Sequence, residues 1–123
     1  MTIRYFILTV IVTFLLAIAQ VLVKLGLNKL GGLNISVKTF FSDIIPIISS
    51  YYLWLGFLTI IVSSLLWMKV LSKVNLSIAY PLISLSYIFG LLAARYVFGE
   101  TIPTIRWVGV GVIGIGILFI MRG

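Results

Sequence analysis

The chain has 123 residues, is 63% hydrophobic and 9% charged, and sets nine Lys and Arg against two acidic residues for a net charge of +7. With a mean hydropathy of +1.32 and far fewer charges than the roughly 25% of soluble domains, its surface cannot be wetted all round, and the solvent that suits it is a bilayer. Cysteine and histidine are absent and the only acids are Asp43 and Glu100. That excludes disulfides and thiolate chemistry, and it leaves almost nothing for metal chelation or general acid–base work. No enzyme, cofactor or metal is expected. The cations stand singly beside apolar runs, as residues snorkelling towards lipid headgroups do, and form no basic patch for nucleic acid.

Crossing the hydrocarbon core takes about 20 apolar residues as a helix. Tyr5–Val23 is uncharged and forms the first span. Arg4, the apolar run and Ala17-Ile18-Ala19 have the layout of a cleavable signal, but the run continues through Val21-Leu22-Val23, so it is expected to remain as a span. Ile44–Met68 holds the second span, with Pro46 and Ser49-Ser50 placing its helical start near Tyr51. Tyr51, Tyr52 and Trp54 at one end and Trp67 at the other are candidate interfacial anchors. Val74–Ala94 is the third span, and Trp107–Met121 the fourth, with Pro103 as a first-turn residue and Arg106 snorkelling. The expected organisation is one all-α domain over 1–123, a four-transmembrane-helix bundle with helices at about 4–24, 48–70, 75–97 and 103–121.

The connections are short except for Lys24–Asp43, which holds Gly26, Gly31, Gly32 and Asn34. Its stretch from Ile35 to Ile45 is open to two readings, a short amphipathic helix along the interface or an ordered polar loop. Four spans put both termini on one side with Arg4, Lys69, Lys73 and Arg122, against Lys24, Lys29, Lys38, Arg95 and Arg106 on the other. Four cations against five give the positive-inside rule little to act on. Such balance permits insertion in both orientations and an antiparallel dimer; a partner subunit or lipids could equally set the orientation.

Polar side chains inside a membrane are costly and mark function by default. At 100° per residue Thr9, Thr13, Ala17, Gln20 and Lys24 share one face of the first helix. Ser77, Tyr80, Ser84, Tyr87 and Arg95 share an arc of the third, with Ser86 opposite, while Pro81 frees the Ser77 carbonyl and favours a kink. Lys24 and Arg95 approach the same membrane face, a plausible seat for phosphate with Gln20, Tyr80, Ser84 and Tyr87 alongside. The plainer alternatives are that both cations snorkel, that Arg95 pairs with Glu100, and that Ser63 and Ser64 bond backbone or neighbouring helices. Glu100, just ahead of the fourth helix, would complement its dipole. Gly109 with Gly116, and Gly111 with Gly114, lie on roughly opposite sides of the fourth helix and would allow close packing on both, against neighbours or another protomer. Four helices make a bundle without a spare cavity, whereas eight about a pseudo-two-fold resemble many transporters, so a dimer is expected.

The stretch Ile78-Ala-Tyr-Pro-Leu-Ile-Ser-Leu-Ser-Tyr, then Phe98-Gly-Glu100 and the Gly-rich last helix, resembles the small four-helix members of the drug/metabolite transporter superfamily (EamA-like). More narrowly it is similar to the subunits of the aminoarabinose–phosphoundecaprenol flippase. There an Ile-Ala-Tyr-Pro-x-x-Ser-Leu motif opens the third helix, Glu precedes the fourth, and a Gln four residues before a Lys closes the first, as Gln20 and Lys24 do here. The related small multidrug resistance exporters carry a Glu eight residues before that Lys, where this chain has Leu16. Coupling by a carboxylate at that place is therefore excluded. The resemblance implies translocation of a polyprenyl-phosphate-linked monosaccharide across the bacterial cytoplasmic (inner) membrane by a multi-pass homodimer, or a heterodimer with a paralogue. Lys24 and Arg95 would neutralise phosphate, and Gln20, Tyr80, Ser84 and Tyr87 would contact the head. Two alternatives stand beside it, a small-molecule exporter of cationic drugs, polyamines or metabolites, and an accessory subunit that transports nothing.

Overall fold

In a bilayer every backbone N–H and C=O must be bonded within the protein, and a helix does this within one segment. The computed structural model describes residues 2–32 and 35–123, and its regular structure is all helical: α1 Ile3–Lys29, α2 Phe40–Ser49, α3 Tyr51–Lys73, α4 Leu76–Leu82, α5 Leu85–Tyr96 and α6 Thr104–Arg122. Among the described residues four segments are long and apolar enough to cross a membrane: α1, α3, the α4–α5 pair taken as one span, and α6. At 1.5 Å per residue the 27 residues of α1 reach about 40 Å, past the roughly 30 Å hydrocarbon core. The helix therefore continues beyond Lys24 for more than a turn. Lys29 ends it with its ammonium 4.7 Å from the Tyr52 ring centroid and 5.6 Å from that of Tyr51. The two tyrosines stack on each other, and the Trp54 indole N–H donates to the Ile48 carbonyl. Trp67 instead packs on the cluster of Val70, Val74 and Ala79, where α3 turns into α4.

The pairing of α1 with α3 is the most extensive in the molecule, and two glycines permit it. A Cβ on Gly56 would stand 2.7 Å from Val23 Cγ2 and 3.2 Å from the Ala19 carbonyl oxygen. One on Gly26 would stand 2.9 Å from Leu53 Cγ. The helices run antiparallel, and Val12, Ala19, Leu53, Ser63 and Val70 are buried. Thr9 and Thr13, the lower half of the polar stripe on α1, are buried too, their hydroxyls donating to the Tyr5 and Val10 carbonyls at 2.7 and 2.9 Å. Ser63 does the same to Ile60 at 2.9 Å. Back-bonding of this kind satisfies a hydroxyl without any ligand.

The third span is not one continuous helix. Pro81 brings no N–H to the ladder, and α4 stops at Leu82. From Ile83 to Tyr87 the chain uses bonds three residues back, Ile83 N–H to Tyr80, Ser84 to Pro81, Ser86 to Ile83 and Tyr87 to Ser84. These are tight 3₁₀-type turns. The break thus lies two residues beyond the proline and resets which side chains of α5 face the same way as those of α4.

Between α1 and α3, α2 begins at Phe40 and runs to Ser49, later than the 35–45 segment considered for an interfacial helix; Asn34 lies outside the described residues. The delay has a local cause. Asp43 Oδ2 accepts from the Ser36 N–H at 3.0 Å and the Thr39 hydroxyl at 2.6 Å, so residues 36–39 are held as a clasp ahead of the helix. The Thr39 hydroxyl, and then the Ser36 N–H, keep the Asp43 carboxyl below the usual carboxylate range, with slight desolvation opposing them. A depressed folded pKa means the clasp contributes fully above the ordinary carboxylate range and is lost as pH falls through the lower, folded value. The protection of the Ser36 amide, taken relative to the intrinsic exchange rate at each pH, should therefore fall on acidification, and Asp43→Asn should show that lower protection already at neutral pH.

The last span is the least covered. Its contacts are chiefly with α4 and α5, and Ile117 alone of α6 is buried, among the described residues. Gly109, Gly111, Gly114 and Gly116 have nothing within 4 Å of where a Cβ would stand. The close packing expected at these four glycines does not occur within the chain, because α6 stands away from α1. For the same reason the four helices do not close into a bundle without a cavity.

Candidate functional site

The space left by α6 is a cleft of about 720 Å³ between α1, α5 and α6. Leu16, Ala17 and Gln20 line it from α1, Ser86, Tyr87, Gly90, Leu91 and Ala94 from α5, and Arg106, Gly109, Val110 and Ile113 from α6. Small residues make it. A Cβ on Gly90 or Gly109 would meet no atom within 4 Å. Because Gln20, Tyr87, Gly90, Arg106 and Gly109 are exposed, the cleft is open-sided rather than enclosed.

A second hollow of about 200 Å³ continues it, sharing Ala17, Gln20, Gly90 and Ala94 and adding Val21, Lys24, Ala93, Phe98 and Glu100. α1 and α5 run side by side in the same direction, with Phe14 edge-on to Phe89 at 5.4 Å at one level and Lys24 beside Glu100 at another. The charged end of the cleft therefore sits at one membrane boundary, and its deeper walls are mainly apolar, with Ser86 and Tyr87 as their polar groups.

At that boundary Lys24 Nζ donates to Glu100 Oε1 at 3.0 Å and lies 5.0 Å from the Phe98 ring centroid. Glu100 is delivered by a turn rather than a helix. Gly99 takes φ +65°, in the left-handed region that favours glycine, and the Glu100 N–H donates back to the Ala94 carbonyl at 3.0 Å. The carboxylate thus lies outside the first turn of α6, which holds no acid. The dipole role expected for Glu100 is not what the structure shows; Lys24 is its partner. Side-chain exposures of 50% and 42% put this pair among half-open ion pairs, worth about 0–1 kcal/mol.

The structure brings Gln20, Lys24 and Tyr87 to the cleft and its extension, while Tyr80, Ser84 and Arg95 line neither. The tight turns at 83–87 separate Tyr80 and Ser84 from the side of α5 that carries Tyr87. Arg95 follows Ala94 by one residue, and 100° of helical rotation carries it off the cleft; it is exposed. Ser86, expected opposite, is in the lining. Arg106 belongs to the site as well, and its signal was in the sequence. Arg106, Gly109, Val110 and Ile113 follow the i, i+3, i+4, i+7 spacing of one helix face.

A model of the EamA-like transporter family matches residues 3–122. The chain belongs to the EamA-like transporter family. Membership bears out the resemblance carried by residues 78–87 and agrees with four candidate spans. Among relatives of this EamA-like transporter, one from Pseudomonas savastanoi pv. phaseolicola is 30% identical over 82 residues, covering 67% of this chain and 72% of that one. It carries the name "probable 4-amino-4-deoxy-L-arabinose-phosphoundecaprenol flippase subunit ArnE". A protein named in the same words as subunit ArnF, from Proteus mirabilis, is 33% identical over 118 residues, covering 89% of this chain and 80% of that one. An ArnE-named protein of Pectobacterium atrosepticum is 39% identical over 72 residues, 58% of this chain and 63% of its own. For several of these relatives, then, the match spans a little under two thirds of their length. No solved structure matches the chain.

Proposed function

We propose that this EamA-like transporter is one subunit of a flippase that moves a polyprenyl-phosphate-linked monosaccharide, of the aminoarabinose kind, across the bacterial cytoplasmic membrane. The observation that carries the reading is the cleft itself, charged at one boundary, mainly apolar deeper in apart from Ser86 and Tyr87, and open along its side. A lipid-linked sugar has the same division. Its head needs a polar path and its prenyl tail does not, so an open-sided cleft lets the tail stay in lipid while the head crosses. Lys24 and Arg106 are the cations to meet the phosphate, Lys as a point charge and Arg as a planar fork. Gln20, Ser86 and Tyr87 are the groups to meet the sugar. The names of the relatives support the same substrate class.

The active unit in this reading is a dimer, of two copies or of the chain with a paralogue, with the uncovered side of α6 and its free glycines towards the second protomer. Glu100 is the one acid lining the cleft and it is paired with Lys24. A lone cation taking Glu100 would leave the Lys24 ammonium without a partner, whereas a phosphate-bearing lipid supplies one, which favours the lipid.

The test is selectivity of binding. Purified protein in mild detergent, titrated with polyprenyl phosphate and with phosphatidylglycerol in native mass spectrometry, should retain polyprenyl phosphate preferentially. Equal retention of both would overturn the lipid-carrier reading and point to a soluble substrate. Co-purification at fixed stoichiometry with an unrelated membrane protein, with no binding alone, would instead mark an accessory subunit.

A further inference from the structure

Of the two charged groups that line the smaller hollow one is a carboxylate, and a site for phosphate alone has no use for one. Glu100 Oε1 is 3.0 Å from Lys24 Nζ, both side chains line the same hollow with Gln20, and each is about half exposed. The chain has one other acid, Asp43, and that is engaged by Ser36 and Thr39. A bare cationic mouth at a membrane boundary would also collect any anionic phospholipid. Glu100 occupies the Lys24 ammonium in the absence of substrate and raises the requirement for displacing it.

A headgroup that offers only phosphate would free Glu100 without giving it a new partner. One that offers phosphate and an amine replaces a single internal ion pair by two external ones. Resting on the flippase reading above, we infer that Glu100 binds the substrate's amine: Lys24 and Glu100 part, the ammonium of Lys24 taking the phosphate and the carboxylate of Glu100 taking a cationic amine on the sugar. No bond is made or broken; ion pairs exchange.

The geometry allows it. The pair is weak because it is half open, and charge-assisted bonds to a bound ligand are the stronger kind. Lys24 has a flexible four-carbon stem. Glu100 sits on the connection between α5 and α6, beside Gly99 at φ +65°, and its half-exposed side chain can turn away from Lys24 by rotation about its own bonds without moving a helix. The Phe98 ring near the Lys24 ammonium gives the lysine a second attraction to hold its place while Glu100 is drawn off.

The experiment compares three lipids of one prenyl length in native mass spectrometry: polyprenyl phosphate, the phosphodiester of a neutral sugar, and the phosphodiester of the matching aminosugar. Wild type should favour the aminosugar lipid over the neutral one by about tenfold or more, as expected for one added hydrogen bond to a charged partner. Glu100→Gln should bind both with a ratio near one, while Glu100→Asp, which keeps the charge, should retain part of the preference. If Glu100→Gln does not purify, the Glu100→Asp ratio against wild type decides alone, and an unchanged ratio counts against the inference. A pair that only pinned the α5–α6 connection to α1 would lower thermal stability in Glu100→Gln and leave the ratio as in wild type, which overturns the inference. Wild type that binds all three lipids without regard to the amine also overturns it and leaves the flippase reading standing. Wild type that binds none of the three removes the flippase reading, and this inference with it.

Discussion

Lys24→Ala is expected to abolish transport of a polyprenyl-phosphate-linked sugar in proteoliposomes while leaving the protein inserted and folded. The two halves of that expectation rest on different magnitudes. The Lys24–Glu100 pair is half exposed, and pairs of that kind contribute about 0–1 kcal/mol, so its loss is survivable. A charged group that meets a phosphate in the partly dry end of a cleft is worth more, about 1.5–3 kcal/mol for each hydrogen bond to an ionised partner. Binding should fall roughly 10- to 100-fold from that alone, and transport further, since the head would also lose its entry point. Lys24→Arg keeps the charge but not the shape and should retain partial transport. Size-exclusion profiles and melting curves establish folding; full transport by a well-folded Lys24→Ala protein would remove Lys24 from the site and the phosphate with it.

The arrangement behind that prediction was only half legible in the sequence. Apolar runs of spanning length are read directly, because a bilayer leaves the backbone almost no alternative to a helix. The polar end of α1 is legible for a similar reason. Gln20 and Lys24 are costly in lipid and so stand out. The facing of the helices is another matter. In a soluble protein the apolar stripe marks the core, but here most sides of every span are apolar, and lipid and protein interior make the same demand. The sequence stripe on α1 therefore ran Thr9 and Thr13 together with Gln20 and Lys24, whereas the threonines are buried and bonded to their own helix. Pro81 signalled an interruption but not its length, and two further residues of tight turn were enough to move Ser86 into the cleft and leave Tyr80 and Ser84 out. Arg106 shares a helix face with Gly109, Val110 and Ile113, but its place near a helix end gives it the position of an ordinary snorkelling residue as well, and spacing alone does not separate the two. Glu100 was misread because the chain between α5 and α6 folds back through Gly99, which turns a residue four positions ahead of the α6 start into a neighbour of α1.

Glycine gives the sharpest contrast, and with it the largest expected effect on stability. Four glycines crowd α6 and have open space beside them, while Gly56 and Gly26, isolated in sequence and in no GxxxG pattern, are where two helices meet. Spacing within one helix reports which glycines share a face; it says nothing about whether another helix comes to that face. Gly56→Leu should consequently be severe. Even a methyl group there would stand 2.7 Å from Val23 Cγ2, and behind that methyl lie the Ala19 carbonyl oxygen at 3.2 Å and the Val23 nitrogen at 3.3 Å, neither of which can rotate away. Overfilling a packed contact costs about 1–3 kcal/mol, and an isobutyl group against backbone belongs at or above the top of that range. Gly56→Ala should be milder, since the valine can shift by part of an ångström. Gly109→Leu, at an open position, should leave the melting temperature of the purified chain nearly unchanged and instead fill the cleft and lower lipid binding. Melting curves in one detergent for the three variants order them directly. An order in which Gly109→Leu unfolds first would mean that α6, rather than the α1–α3 pair, holds the molecule together.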